Sequence, residues 1–293
     1  MITHSQIERR IFPIIRRGLR HQVAPVLQAI EERGPEYANS QLNRLVKIDP
    51  IYLAFNDFYP KMLILVARNQ YNDLERKKDL IPEWIVDAWN QFAAMYLLTD
   101  IFTRMASITE TTRRRVARVI LDEGEGQNIL NRSSTSGPVR GEAITGINRR
   151  RGAPITLGEA EKQNILSKLS ARDFIDPHAL TIARTEATTI LNTGVEQGAS
   201  GYGRANEVTI WHGWIPMEDD RTRPAHFAMR DVRPIPLGDR FEVGGELLRY
   251  PGDPEGSPGN TINCRCRQLI ATEQEVIKRY GIDYVESFSN VLI

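Results

Sequence analysis

Apolar residues recur at helical spacing through about the first 122 residues, and then the spacing stops. Ile7, Ile11, Ile14, Ile15 and Leu19 share one helical face, and Thr3-x-x-Gln6 ahead of them forms a capping box, in which each side chain satisfies an orphan donor of the first turn. Pro13 and Pro25 are expected to kink or interrupt this helix. Tyr52 to Arg76 and Pro82 to Arg104 continue the pattern with large residues. Trp84, Trp89, Phe92, Met95, Tyr96, Leu97 and Ile101 fall on helical repeats, which predicts packing between helices. A further capping box, Ser107-x-x-Glu110, predicts the start of a helix that runs through Val116, Val119 and Ile120 and ends at Gly124.

From Glu123 to about residue 155 no period survives. Six glycines, Ser133 to Ser136, Pro138 and the triplet Arg149-Arg150-Arg151 occupy this stretch, which reads as a linker or arm. Order resumes at Thr156-x-x-Glu159, a third capping box, and Asp176-Pro177 supplies an N-cap and a first-turn proline for the next helix. That helix carries Leu180, Ala183, Ala187, Ile190, Leu191 and Val195 on one side, and Gly198 to Gly203 are expected to end it. Glu207 to Trp214 alternates as a strand. A short helix near Pro224 to Met229, a short strand at Leu247 to Tyr250, a strand from Cys264 to Ile270 and a final helix capped by Thr272-x-x-Glu275 and closed by Gly281 complete the reading. The expected class is α+β. It comprises a mainly helical region over 1–122, a linker over 123–155, and a turn-rich mixed α+β domain over 156–293.

The 38 Lys and Arg balance 37 Asp and Glu, which counts against autonomous DNA binding by the whole chain. Arg9, Arg10, Arg16, Arg17 and Arg20 make the exposed side of the first helix basic; this is either a solvated face or one that meets phosphate or a partner. The residues Met1 to Glu8 lack the apolar core of a signal peptide. The longest apolar run, Met62 to Ala67, is too short to cross a bilayer, so no membrane partner is expected.

Both cysteines lie in Asn263-Cys264-Arg265-Cys266. A disulfide between positions i and i+2 is strained, so reduced thiols are expected. On a strand the two side chains share a face and can share a metal. His226 is the candidate third ligand, His212 or Asp219-Asp220 the candidate fourth, and zinc the metal that accepts such a set. Small buried thiols in a core are the plainer reading. The run Asp220-Arg221-Thr222-Arg223-Pro224-Ala225-His226 has a structural reading of its own. Asp220 caps the short helix, and Arg184, Glu186, Arg221 and Arg223 form bidentate pairs, with Glu186 or Asp219 as acceptors, that fix poorly ordered loops. An anion pocket is the alternative, without a glycine-rich phosphate loop to support it.

Ile182-Ala183-Arg184-Thr185-Glu186, the tryptophan-bearing strand Trp211 to Trp214, the Asp220 to His226 run and Asn263-Cys264-Arg265-Cys266 follow one another in an order that resembles the Mu F-like minor head protein family of tailed phages. This is the phage head morphogenesis domain, and the resemblance spans roughly Ala179 to Leu269. Some members carry cysteines where this chain has Arg223 and His226, which in them suits a metal site; here one position is arginine. The resemblance implies a minor capsid protein, assembled in the host cytoplasm and located in the virion, in the capsid interior or at the portal vertex. It implies the portal protein, other capsid proteins and packaged DNA as partners, and a role in head assembly and in DNA packaging or ejection. No catalytic constellation is apparent, so a non-enzymatic role without an obligatory cofactor is expected. The competing reading is an enzyme acting on nucleic acid or nucleotide through His226 with Arg221 and Arg223.

Overall fold

A computed structural model describes residues 2–75, 81–124 and 158–289. The class is α+β: helices build the N-terminal region, and a small antiparallel sheet enters near the C-terminal end. Packing divides the chain into two compact units, neither of them contiguous in sequence. One comprises Met1–Arg17, Tyr52–Arg104 and His178–Ile293; the other comprises Gly18–Ile51 and Met105–Pro177. Beyond Gly124, the expected linker over 123–155 lies outside the described residues, as do Arg149-Arg150-Arg151 and Thr156.

Helix α1 (His4–Arg33) opens on the expected capping box: the Thr3 backbone N–H donates to Gln6 Oε1 at 2.8 Å, and the Gln6 N–H donates to Thr3 Oγ1 at 3.3 Å. Neither Pro13 nor Pro25 interrupts it. Each proline costs about 3 kcal/mol in a helix interior. Against that, Ile7, Ile11, Ile15, Leu19, Val23, Val26 and Ile30 are all buried, and each contributes about 1.5–3 kcal/mol. The apolar stripe therefore outweighs the breakers. Short helices α2 (Pro35–Ser40) and α3 (Leu42–Leu45) lead into α4 (Asp49–Glu75).

Helix α5 (Glu83–Tyr96) passes through a π-helical turn, Leu97–Ile101, into α6 (Phe102–Gly124). Ser107 and Glu110 therefore sit inside a helix rather than at its start. The apolar face running through Ile101 and Met105, both buried, carries the helix past the polar pair. Glu110 instead accepts from Arg114 at 3.1 Å and forms a longer ion pair with Arg113 at 3.6 Å. On α5 the buried residues are Ile85, Trp89, Ala93 and Tyr96, and Trp84 and Met95 fall off that face into solvent. In the unit that holds Gly18–Ile51, buried Gln22 donates to Lys47 O and Thr109 Oγ1, and Arg113 donates to Val46 O.

Helix α7 (Glu159–Ser170) starts after Gly158, which makes no side-chain cap. Helix α8 (Arg172–Asn206) begins before Asp176-Pro177 and continues past Gly198 to Gly203. Its extra first turn is held from outside: Arg115 donates to Phe174 O at 2.5 Å and lies over the Phe174 ring. Its glycines are contact points, not a stop. A Cβ on Gly194 would lie 2.6 Å from Val66 Cβ, and one on Gly198 would lie 2.4 Å from Ala67 O. The two helices approach so closely that only hydrogen fits there.

Strand β1 (Ile210–Ile215) is the centre of a three-stranded antiparallel sheet, flanked by β2 (Ile235–Pro236) and β5 (Arg267–Thr272). Its residues from Ile210 to Trp214 are buried on both faces. Trp211 packs against Val276 and Val285, and Trp214 packs with Phe241, Met229 and the two cysteines. A two-stranded hairpin, β3 (Phe241–Val243) and β4 (Glu246–Leu248), turns at Gly244-Gly245. Short helices α9 (Pro224–Ala228) and α10 (Pro258–Thr261) lie in the intervening loops. Helix α11 (Glu273–Tyr280) carries the Thr272/Glu275 capping box and ends at Gly281, whose φ is +90°. It is followed by one more helix, α12 (Ile282–Ser289).

The close approach of α4 and α8 makes a specific forecast. In a helix interior, Gly→Ala gains about 1 kcal/mol of propensity, but overpacking costs about 1–3 kcal/mol, and the obstructing atom at Gly198 is backbone. Gly198→Ala is expected to lower stability by about 1–2 kcal/mol in urea unfolding. An increase would refute the contact.

Candidate functional site

Of the C-terminal residues singled out by sequence, His226, Cys264 and Cys266 converge on one site, and the charged ones do not form one network with them. His226 stands on α9, whose N-cap is Arg223 and whose first residue is Pro224. Its ring is 1 % exposed. Nδ1 lies 3.7 Å from Cys264 Sγ and 3.5 Å from Cys266 Sγ. Nε2 lies 3.2 Å from Asn260 Oδ1, and Asn260 Nδ2 donates to Val243 O at 3.2 Å, which fixes the amide so that its oxygen faces the ring. The Trp214 ring meets His226 edge-on at 5.3 Å.

Both cysteines are free thiols, buried at 2 % and 3 % exposure. They do not lie on a strand. The chain leaves α10 through Ile262 and Asn263, where Asn263 takes a left-handed φ of 55°, and β5 begins only at Arg267. The turn, rather than strand alternation, brings both sulfurs to His226. Hydrogen bonding from Cys264 and then from His226 holds the Cys266 thiol well below its ordinary range, while the same coupling and burial push Cys264 up.

Asp220, expected as a cap, is exposed and makes no side-chain cap to α9. Asp219 does the work of that turn. It accepts from the Arg221 N–H at 3.1 Å and Thr222 Oγ1 at 3.2 Å, and takes a bidentate pair from Arg265 at 2.6 Å to each oxygen. The Arg221 side chain is 68 % exposed, with a long contact to Asp219. Arg223 donates to Ile262 O at 2.5 Å. Arg184 pairs with Glu8 at 3.2 Å, and His4 Nε2 lies 3.2 Å from the Arg184 carbonyl. Glu186 is buried elsewhere: Arg104 Nη1 lies 3.1 Å from each of its oxygens, and Tyr59 OH donates at 2.9 Å. Arg184, Glu186, Arg221, Arg223 and His226 therefore belong to separate staples. The spacing of the charges along the sequence does not encode which loop each one reaches.

Two arrangements lack a sequence signal of the kind used above. Along α8, Thr185, Thr188, Thr189, Asn192 and Thr193 are buried. Thr185 Oγ1 accepts the Asn263 N–H, Thr188 Oγ1 donates to Cys264 O, and Thr189 Oγ1 donates to Gly252 O. Asn192 Nδ2 donates to Pro251 O and Cys266 O, and its Oδ1 accepts the Gln268 N–H. Gly252, at φ +77°, sits where a Cβ would meet Thr188 at 3.0 Å. Their spacing of i, i+3, i+4, i+7 and i+8 is itself the missed signal. The second arrangement is Glu196, 14 % exposed, which accepts from Gln268 Nε2 at 2.7 Å; that nitrogen lies 3.0 Å from His212 Nδ1. Burial pushes Glu196 up to about 7 and His212 down to about 4. His212 is thus engaged away from the cysteines.

The arrangement defines a class: a mainly helical α+β protein whose strand-poor C-terminal loops are pinned by buried polar side chains around a histidine and two thiols. No family model, curated protein or solved structure matches the chain.

Two measurements check these assignments. Stranding one partner of a buried pair costs about 3–5 kcal/mol, whereas an exposed pair contributes about 0–1 kcal/mol. Arg104→Met is expected to lose about 3 kcal/mol in urea unfolding and Arg221→Ala close to nothing; the reverse order would overturn the assignment. For Glu196, a folded-state value raised above the unfolded one means that the folded chain holds a proton the unfolded chain has lost. Stability from this group is then present below about pH 4.5, falls as pH rises to about 7, and is flat above, by on the order of 3 kcal/mol in all. The difference between wild type and Glu196→Gln, followed by unfolding from pH 4 to 8, should show that slope. Parallel curves would refute it.

Proposed function

We propose that this chain is a minor head protein of a tailed phage, acting by contact rather than by catalysis, with the portal oligomer and neighbouring capsid proteins as its partners. What supports this reading is the use to which the resemblance-bearing residues are put. Glu186, Arg223, His226, Cys264 and Cys266 all spend their polar atoms on closing the fold, and His226 is buried with both ring nitrogens engaged. A general acid or base has to reach its substrate. Structural staples do not.

The docking surface in this reading is on the helices of the N-terminal region, 1–122. Met95, Leu98 and Phe102 follow one another along α5, the π turn and α6, exposed at 67, 71 and 48 %. The Tyr52 ring packs edge-on against Phe102 at 6.0 Å, and the next residue, Leu53, is exposed. Large apolar groups in such a row suit an interface with a larger assembly. The portal vertex, with packaged DNA close by, is the proposed location.

The test uses the full-length chain with purified portal oligomers. Co-sedimentation is expected for the wild type and is expected to fall at least tenfold for Leu98→Asp with Phe102→Asp, without loss of melting temperature. An unchanged co-sedimentation would move the contact elsewhere. Absence of any binding to portal or heads would overturn the proposal. Turnover of nucleic acid or a nucleotide, abolished in His226→Ala, would put the enzyme reading in its place.

A further inference from the structure

The spacing of three side chains points to a metal. The donor atoms of His226, Cys264 and Cys266 all lie within 4.8 Å of one another, and all three residues are buried. In a tetrahedral zinc site with Zn–S of about 2.3 Å and Zn–N of about 2.0–2.1 Å, a sulfur and a nitrogen stand about 3.6 Å apart. The two sulfur-to-nitrogen separations here are 3.7 and 3.5 Å. A single S–H···N bond accounts for one of them, since a neutral imidazole nitrogen offers one lone pair. It does not account for two sulfurs converging on the same atom.

The surroundings prepare the three groups as ligands. An imidazole that binds metal through one nitrogen donates its other N–H to an oxygen, which sets the tautomer. Asn260 Oδ1 occupies that position on Nε2, and its own amide is anchored to Val243 O. The Thr188 and Asn192 side chains hold the carbonyls of Cys264 and Cys266, so the loop is fixed from α8 as well. Two thiolates and an imidazole are the donor set of zinc.

We infer that the chain binds one zinc ion through Cys264 Sγ, Cys266 Sγ and His226 Nδ1. Neither expected fourth ligand joins them: His212 faces Gln268, and Asp219 is taken by Arg265. Among the described residues these three form the only such donor group, so the fourth corner of the tetrahedron falls to water or another small oxygen donor. The ion ties α9 to the turn after α10, two segments with little regular structure of their own.

The inference is independent of the partner and is tested on the full-length chain alone. Protein purified without chelator is expected to carry about one zinc per chain by elemental analysis. After exchange into cobalt it is expected to show the intense visible bands of a tetrahedral ion and thiolate-to-cobalt charge transfer. Asn260→Ala, which leaves all three ligands in place, is expected to weaken metal binding by about 10–100-fold, and Cys266→Ser is expected to reduce the charge-transfer band to that of a single thiolate or to remove most of the metal. A metal-free wild-type chain whose melting temperature is moved by neither zinc nor chelator would overturn the inference. So would a cobalt spectrum without thiolate charge transfer. Both readouts come from the wild type, so they decide the matter even where a cysteine variant fails to fold.

Discussion

The C-terminal third depends on one helix acting as a hydrogen-bond template. The stretch from Met217 to Cys266 has three strands of two or three residues, two short α-helices and a single 3-10 turn, so few of its backbone groups are paired by ladders. A buried carbonyl or N–H left without a partner costs about 1–3 kcal/mol. Helix α8 supplies the missing partners from side chains, reaching Gly252, Pro251, Asn263, Cys264, Cys266 and Gln268 through four residues, Thr185, Thr188, Thr189 and Asn192. Threonine and asparagine are indifferent helix formers. Their presence in the middle of a 35-residue helix is explained by what they hold, not by the helix itself.

The same helix is used on its other side. Positions 194, 198 and 201 lie about half a turn round from the threonine and asparagine stripe, by the 3.6-residue period. There glycine brings the backbone against Val66, Ala67 and the Trp89 and Ile85 side chains. One face excludes side chains so that helices meet; the other uses short polar ones so that loops meet. Charged staples finish the task locally. Asp253, fully buried, accepts from the Arg249 backbone and guanidinium and from the Glu255 N–H, which closes the turn between them.

Legibility in the sequence follows the range of the interaction. Thr3/Gln6 and Thr272/Glu275 were readable because a capping box is complete within four residues. Ser107/Glu110 has the same letters and fails, because the helix was already propagating through Ile101 and Met105. Asp176-Pro177 and Gly198 to Gly203 mislead for a related reason: a local start signal and a local stop signal lose to packing by Phe174, Val66 and Ala67. Gly244-Gly245 between Phe241–Val243 and Glu246–Leu248 is a hairpin signal that periodicity over such short runs did not expose. The proximity of His226 to Cys264 and Cys266 was expected, though from strand alternation, and a turn provides it instead. The partners of Glu186 were out of reach altogether, since Tyr59 and Arg104 are 127 and 82 residues away and nothing local marks them.

Those long separations constrain how the unit that contains them forms. Glu186 is a buried carboxylate whose counter-charge comes from Arg104 and whose hydroxyl donor comes from Tyr59. The glycine face of α8 needs α4, and its polar face needs residues 251 to 268. Early segments alone therefore leave apolar surface around Ala67 and Trp89 without the helix that covers it, and the late segments alone leave a charge stranded. Ordering such distant segments costs loop-closure entropy before their contacts repay it. The core of this unit is therefore complete only when α8 and the loops beyond it are in place. A fragment cut between the helical half and the turn-rich half would divide a single core, because the unit takes its residues from both.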